Sequence, residues 1–157
     1  ADLAAVEAFY RGLSPATVGR RFHTAASPLR PGQLNFALSM DGHHHVALGA
    51  FRGRLLIGDG RYVRIEQDAV TAEIAVTVAD AAQGTGVGGE LLRALLVHAK
   101  SNGISRLQCT VQTDNDAAAR LFRGLGETVA YCGNQRTFAV DLAPAAPQRP
   151  GLLRATA

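Results

Sequence analysis

Apolar residues Leu3, Val6, Phe9, Tyr10 and Leu13 fall on one stripe of a 3.6-residue period, which predicts a helix over 2–13 with Asp2 as its N-cap. Ser14-Pro15 restarts a second helix: Ser caps orphan N–H groups, Pro fills the first position, and Val18 and Phe22 mark the buried side. Pro28, Pro31 and Gly32 then predict a loop. The period shifts towards two over 44–51, 55–65 and 71–79, three strand-type runs in which Gly58-Asp59-Gly60 reads as a break. Turns as short as Gly53 suggest an antiparallel meander.

Val87, Leu91, Leu92, Leu95, Leu96 and Ala99 form a wide apolar helical face that ends at Gly103, a residue suited to the left-handed position after a helix. A strand follows over 106–111, then a helix over 115–125 carrying Ala118, Leu121, Phe122 and Leu125 at helical spacing. Runs 129–132 and 137–142 close as a hairpin around Gly133-Asn134, and Pro144, Pro147 and Pro150 mark 143–157 as a tail or linker behind a single domain at 1–142. The passage from 71–79 through the long helix to 106–111 is a right-handed βαβ crossover whose two strands run parallel or splay apart. Alternation on 71–79 sets Ala72, Ile74, Val76 and Val78 against that helix, and Thr71, Glu73, Ala75 and Thr77 on the other face. The expected class is α/β (α+β), a mixed and largely antiparallel sheet flanked by helices.

Composition narrows the functions. A chain of 157 residues, 47% apolar and 18% charged, is expected to be one globular domain with a real core. No apolar run approaches the roughly 18 residues of a membrane span and no tripartite leader is visible, so a soluble, cytoplasmic protein without a membrane partner is expected. The net charge of +3 is mild; Arg52, Arg54, Arg61 and Arg64 cluster without the aromatic interleaving of a nucleic-acid platform, and an anionic cofactor accounts for the bias. Cys109 and Cys132 lack metal spacing and read as core or half-buried residues. His43-His44-His45 reads as a solvated strand start and not a metal site: His43 and His45 share a face, His44 points away, and no carboxylate or Cys stands at ligand-like spacing. The chain begins at Ala1 without Met, which reads as trimming or excision from a longer protein. Oligomeric state is open, a homodimer included.

The chemistry centres on Gln83-Gly84-Thr85-Gly86-Val87-Gly88-Gly89, which leads directly into the long helix. Glycines let backbone N–H groups approach a ligand closely, and the helix start adds orphan donors and a positive dipole end, so the segment suits phosphate. A P-loop is excluded, because Gly89-Glu90 follows Gly88 where Lys and Ser or Thr are needed. Gly84-x-Gly86-x-x-Gly89 does satisfy the dinucleotide pattern, although 79–83 separate it from its strand and only about one βαβ passage remains. The third pattern is Gln83-x-x-Gly86-x-Gly88.

That third pattern, together with Asn115-Asp116-Ala117-Ala118-Ala119-Arg120-Leu121-Phe122 and Gly124-Leu125-Gly126, resembles the two signatures of the GNAT superfamily of acyl-CoA-dependent N-acyltransferases over about 55–142. Phe9-Tyr10-Arg11-Gly12-Leu13-Ser14-Pro15, Arg20-Arg21-Phe22 and Ala72-Glu73-Ile74-Ala75-Val76 are similar to the acetyltransferase domain of bacterial Pat-type protein lysine acetyltransferases. The resemblance implies a GNAT-type fold in which Gln83, Gly84, Thr85, Gly86, Val87 and Gly88 hold the coenzyme A pyrophosphate and Asn115 opens the helix beside the cofactor. It implies that the backbone of Val76, Thr77 and Val78 pairs with the pantetheine. The superfamily's usual first strand is not visible before Asp2, so it is expected upstream of Ala1 or is absent.

The implied reaction is acetyl transfer from acetyl-CoA to a primary amine, preferably a protein lysine, by direct attack in a ternary complex without metal. An alkyl amine near pKa 10.4 must lose a proton before it attacks, and Glu73 is the candidate general base. Half-burial would raise its pKa towards that task; pairing with Arg61 or Arg64 on the sheet surface is the bland alternative. Many members of the superfamily carry a thiolate-protonating Tyr where this chain has Phe122, which leaves solvent, Tyr131, Tyr62 or Cys132 for that proton. A small-molecule amine acceptor and a non-catalytic acyl-CoA sensor remain as alternatives.

Overall fold

The computed structural model describes residues 3–24, 28–124 and 127–142. The order is α1 (Leu3–Arg11), α2 (Pro15–Phe22), α3 (Pro31–Leu38), β1 (His45–Arg52), β2 (Leu55–Ile65), β3 (Asp68–Val78), α4 (Val87–Ser101), β4 (Arg106–Gln112), α5 (Asp116–Arg123), β5 (Glu127–Cys132) and β6 (Gln135–Asp141), with a 3₁₀ turn at Asp80–Ala82. Asp2, Leu125, Gly126 and the 143–157 tail lie outside the described residues.

The six strands form one sheet in the order β1-β2-β3-β4-β6-β5. Only β3 and β4 run parallel, so the sheet is mixed and largely antiparallel, as expected. With one parallel pair it cannot be a doubly wound dinucleotide fold, which rests on a mostly parallel sheet. Helices α4 and α5 cover one face: Leu92, Leu95, Ala99, Ala119 and Phe122 pack on Tyr62, Ile74, Leu107 and Phe138. The N-terminal helices build a second apolar cluster from Val6, Phe9, Tyr10, Leu13, Val18, Leu34 and Ala37.

Three local departures from the sequence expectations have physical causes. The Pro31-Gly32 loop is the first turn of α3, since Pro is acceptable at a first helical position and the Gln33 side chain accepts the Arg30 N–H at 2.8 Å. Gly58-Asp59-Gly60 does not interrupt β2. A Cβ at Gly58 would stand 2.8 Å from Leu91 Cδ1, and one at Gly60 2.8 Å from Leu95 Cδ1, so the glycines let α4 settle onto the sheet. The histidine run is not simply solvated: His45 is buried and stacks on Phe36, while Asp41 Oδ1 accepts the N–H groups of His43, His44 and His45 at 2.8 Å each. No cluster suited to a metal occurs among the described residues.

Candidate active site

β3 and β4 pair only at Thr71↔Arg106, Ala72↔Leu107 and Glu73↔Gln108. Beyond Glu73 each strand keeps its other neighbour, β3 pairing with β2 as far as Val78↔Gly58 and β4 with β6 as far as Gln112↔Gln135, so the two splay apart. The Ala79 N–H donates to the Ile57 carbonyl. By antiparallel alternation Thr77 and Ala75 therefore bond β2, while the backbone groups of Val76 and Val78 face the splay. Thr77, expected to offer its backbone, does not: its backbone is committed to Asp59 and its side chain is buried.

The glycine loop closes one end of this gap. Gly84 (φ +75°) and Gly86 (φ +91°) are left-handed, and a Cβ on either would point into open space, as a cradle for a ligand requires. Gly86 is the N-cap of α4 and its carbonyl receives the Gly89 and Glu90 N–H groups. The N–H groups of Thr85, Gly86, Val87 and Gly88 have no backbone acceptor among the described residues. The Thr85 hydroxyl donates to the Ala82 carbonyl at 2.7 Å. The Gln83 side chain turns inward, donating to the Val78 carbonyl at 3.2 Å and to Thr17 Oγ1 at 3.3 Å, so it braces the loop. Asp80 accepts from Ser14 Oγ at 2.6 Å and Thr17 Oγ1 at 2.8 Å, which ties α2 to the same loop. Asn115 caps α5, its Oδ1 accepting the Ala118 N–H at 3.2 Å. Residues of this character fit an elongated anionic cofactor with a pyrophosphate at Thr85–Gly88 and amides along Val76.

On the opposite face of β3 lies a cavity of about 200 Å³ lined by Glu73, Ala75, Arg61, Thr110, Arg21 and Phe36, among others. Glu73 is more exposed than the half-buried setting expected of it. It makes no ion pair among the described residues. Both arginines named as its surface partners are engaged elsewhere: Arg64 donates to the carbonyls of His43, Ala69 and Asn102, and Arg61 is buried.

Arg61 is the centre of a network that the sequence did not announce. Its Nε and a terminal N–H bond both Asp59 oxygens at 2.7 and 2.9 Å, Tyr10 donates to Asp59 Oδ2 at 2.6 Å, and Arg61 also donates to the Ala37 carbonyl at 3.1 Å. Burial opposes the Arg61 charge, but the Asp59 hydrogen bonds and field outweigh it and raise its pKa. Burial and the Asp59 charge push the Tyr10 hydroxyl up to about 12, keeping it a donor. His45 Nε2 lies 3.0 Å from Arg61; burial, then the Arg61 charge, lowers its pKa and leaves a neutral ring. Opposite charges at i and i+2 on one strand face were the available signal.

Phe122 is buried and stacks on Phe138, so it is core. None of the substitute thiolate donors lines the cavity: Tyr131 and Cys132 are exposed on β5, and the Tyr62 hydroxyl meets His98 of α4. Cys132 therefore departs from the half-buried expectation, whereas Cys109 is buried, with its thiol pKa pushed up by burial.

Residues 6–126 match the family model described as Acetyltransferase (GNAT) family. The chain belongs to the GNAT acetyltransferase family. It is 36% identical over 115 residues to Acetyltransferase Pat of Mycolicibacterium smegmatis, a match covering 72% of this chain and 34% of that protein. It is 31% identical over 117 residues to L-2,4-diaminobutyric acid acetyltransferase of Methylotuvimicrobium alcaliphilum, covering 71% of this chain and 68% of the relative. The GNAT domain of S. lividans PAT superposes with a TM-score of 0.81 at 27% identity, covering 90% of this chain and 85% of that one. The match thus spans about a third of the M. smegmatis protein. No helix among the described residues is long and apolar enough to cross a membrane.

Proposed function

We propose that the domain transfers an acetyl group from acetyl-CoA to a primary amine, preferably a protein lysine side chain, with Glu73 as general base. The observation that carries this is the splay of β3 from β4. It leaves the Val76 backbone open between the glycine loop on one side and the Glu73 cavity on the other. The pyrophosphate would accept from the Thr85–Gly88 N–H groups and the pantetheine would pair with Val76, bringing the thioester beside Glu73. The carboxylate takes a proton from the amine directly or through water, and the nitrogen lone pair attacks the thioester carbonyl. A backbone N–H on β3 stabilises the developing oxyanion, and the thiolate leaves. With pKa near 8.5 the thiolate is a tolerable leaving group, and solvent supplies its proton.

Support for an amine acceptor comes from relatives whose names specify acetyl transfer, including N-alpha-acetyltransferase RimI of Mycobacterium tuberculosis, 37% identical over 105 residues. The preference for lysine rests on the similarity to Pat. Unpaired thiols at Cys109 and Cys132 suit a cytoplasmic setting. The buried Phe122 favours a second proposal, a sensor that binds acyl-CoA without turnover. The deciding test is coenzyme A thiol release with acetyl-CoA and a panel of lysine peptides and small amines. Glu73→Gln should lower turnover about 10² to 10⁴-fold while acetyl-CoA affinity stays within about twofold. Wild-type turnover in that variant would remove Glu73 as base; tight binding with no release from any acceptor would identify the sensor.

A further inference from the structure

Two arginines line the Glu73 cavity, and they are not equivalent. Arg61 is engaged by both Asp59 oxygens, the Ala37 carbonyl and the His45 ring. The Arg21 side chain, on the last turn of α2, makes no hydrogen bond or ion pair among the described residues, and its Nε is buried without an acceptor. Its guanidinium lies over the Phe22 ring at 5.0 Å and near the Phe36 ring at 5.9 Å. Stacking of this kind fixes the plane of the group while leaving its edge donors free. A buried guanidinium donor without an acceptor is unfavourable unless a ligand supplies one. His23 stands in the same cavity; it ends α2 in the left-handed conformation at φ +53°, and its Nδ1 is also unpaired. Burial, then the Arg21 charge, lowers the His23 pKa and leaves that ring neutral. Among the described residues, the charged groups of the cavity that make no ion pair are Arg21 and Glu73.

We propose that Arg21 is a specificity-determining residue that binds a carboxylate carried by the acceptor close to the amine that faces Glu73. The inference rests on the acetyl-transfer proposal and deepens it by naming the acceptor class. Two sources supply that chemistry: an acidic side chain next to a lysine in a protein, or the α-carboxylate of a free diamino acid. A fork of charge-assisted bonds from a positioned guanidinium discriminates strongly between a carboxylate and its neutral isostere.

The test measures coenzyme A thiol release in two paired arms, with wild type, Arg21→Gln and Arg21→Lys. The first arm pairs a blocked lysine peptide flanked by Glu with the same peptide flanked by Gln. The second pairs free L-lysine and L-2,4-diaminobutyrate with their carboxamides. In wild type the carboxylate member of at least one arm is favoured about 10- to 100-fold in kcat/KM, mostly through KM, and the favoured arm identifies the source. In Arg21→Gln the two members converge, and Arg21→Lys restores part of the difference. Equal wild-type rates for both members in both arms overturn the inference, whether or not the variants fold. A preference that survives in folded Arg21→Gln overturns it too. Absence of thiol release from every acceptor instead removes the acetyl-transfer proposal beneath it.

Discussion

Replacing Asp59 with Ala tests whether the buried network supports the cavity floor. The Asp59 and Arg61 side chains are 3% and 1% exposed, so neither charge can turn to water. The substitution deletes the acceptor of two Arg61 bonds and of the Tyr10 hydroxyl bond. Arg61 would keep the Ala37 carbonyl and the His45 ring, which leaves a buried cation without a counter-charge. Breaking a buried pair in this way costs about 3–5 kcal/mol, equivalent to roughly 6–20 °C in Tm for a chain of this size. Urea unfolding followed by circular dichroism gives the value directly. Asp59→Leu with Arg61→Met removes both charges together and should be less destabilised than Asp59→Ala, since the penalty comes from the orphaned partner. A loss below about 1 kcal/mol for Asp59→Ala, or a double variant worse than the single one, would show that Asp59 is not the counter-charge Arg61 depends on.

Other expectations follow from the same geometry. Gly86→Asp forces a side chain onto φ +91° and sets a carboxylate at the proposed phosphate site. Left-handed strain of about 1–2 kcal/mol plus repulsion should weaken coenzyme A binding at least tenfold by calorimetry; an unchanged Kd would place the phosphate elsewhere. Gly60→Ala puts a Cβ 2.8 Å from Leu95 Cδ1 and 3.3 Å from Leu91 Cβ, and overpacking there should cost about 1–3 kcal/mol in urea. Unchanged stability would mean that α4 does not rest so closely on β2. Asp41 is held at a pKa of about 2, chiefly by the His45 and His43 N–H bonds. Because this is below the unfolded value near 3.9, its stabilisation is complete above that value and is lost as pH falls through about 2. Wild type should therefore lose more stability than Asp41→Asn on acidification from about pH 5 to 2; parallel losses would show that the carboxylate contributes nothing.

Local signals carried much of the fold. Ser14-Pro15 and Asn115 announced helix starts because capping is a contact among near neighbours, and the structure shows both caps. The single crossover left β3 and β4 either parallel or splayed, and the structure shows both, a parallel pairing up to Glu73 and a splay beyond it. Non-local effects were not. Asp59 becomes interior only because Tyr10 of α1 donates to it and Arg61 crosses to the Ala37 carbonyl of α3, contacts 49 and 24 residues apart in sequence. Glycines at Gly58 and Gly60 resembled punctuation because their purpose lies in the Leu91 and Leu95 side chains above them. Arg21 entered only within the Arg20-Arg21-Phe22 resemblance; its place over the Phe22 and Phe36 rings beside the cavity depends on how α2 and α3 dock. Gln83 was legible as part of the loop, but its inward bond to Thr17 depends on how α2 docks.

The proposed acetyl transfer requires one cofactor to span the glycine loop and the β3–β4 splay, with its reactive end at Glu73. A crystal structure of the chain with coenzyme A tests this most directly. The expected complex has pyrophosphate oxygens on the N–H groups of Thr85, Gly86, Val87 and Gly88, pantetheine amides paired with Val76, and the thiol at the edge of the Glu73 cavity. Coenzyme A bound away from the splay, or a thiol directed away from Glu73, would contradict it.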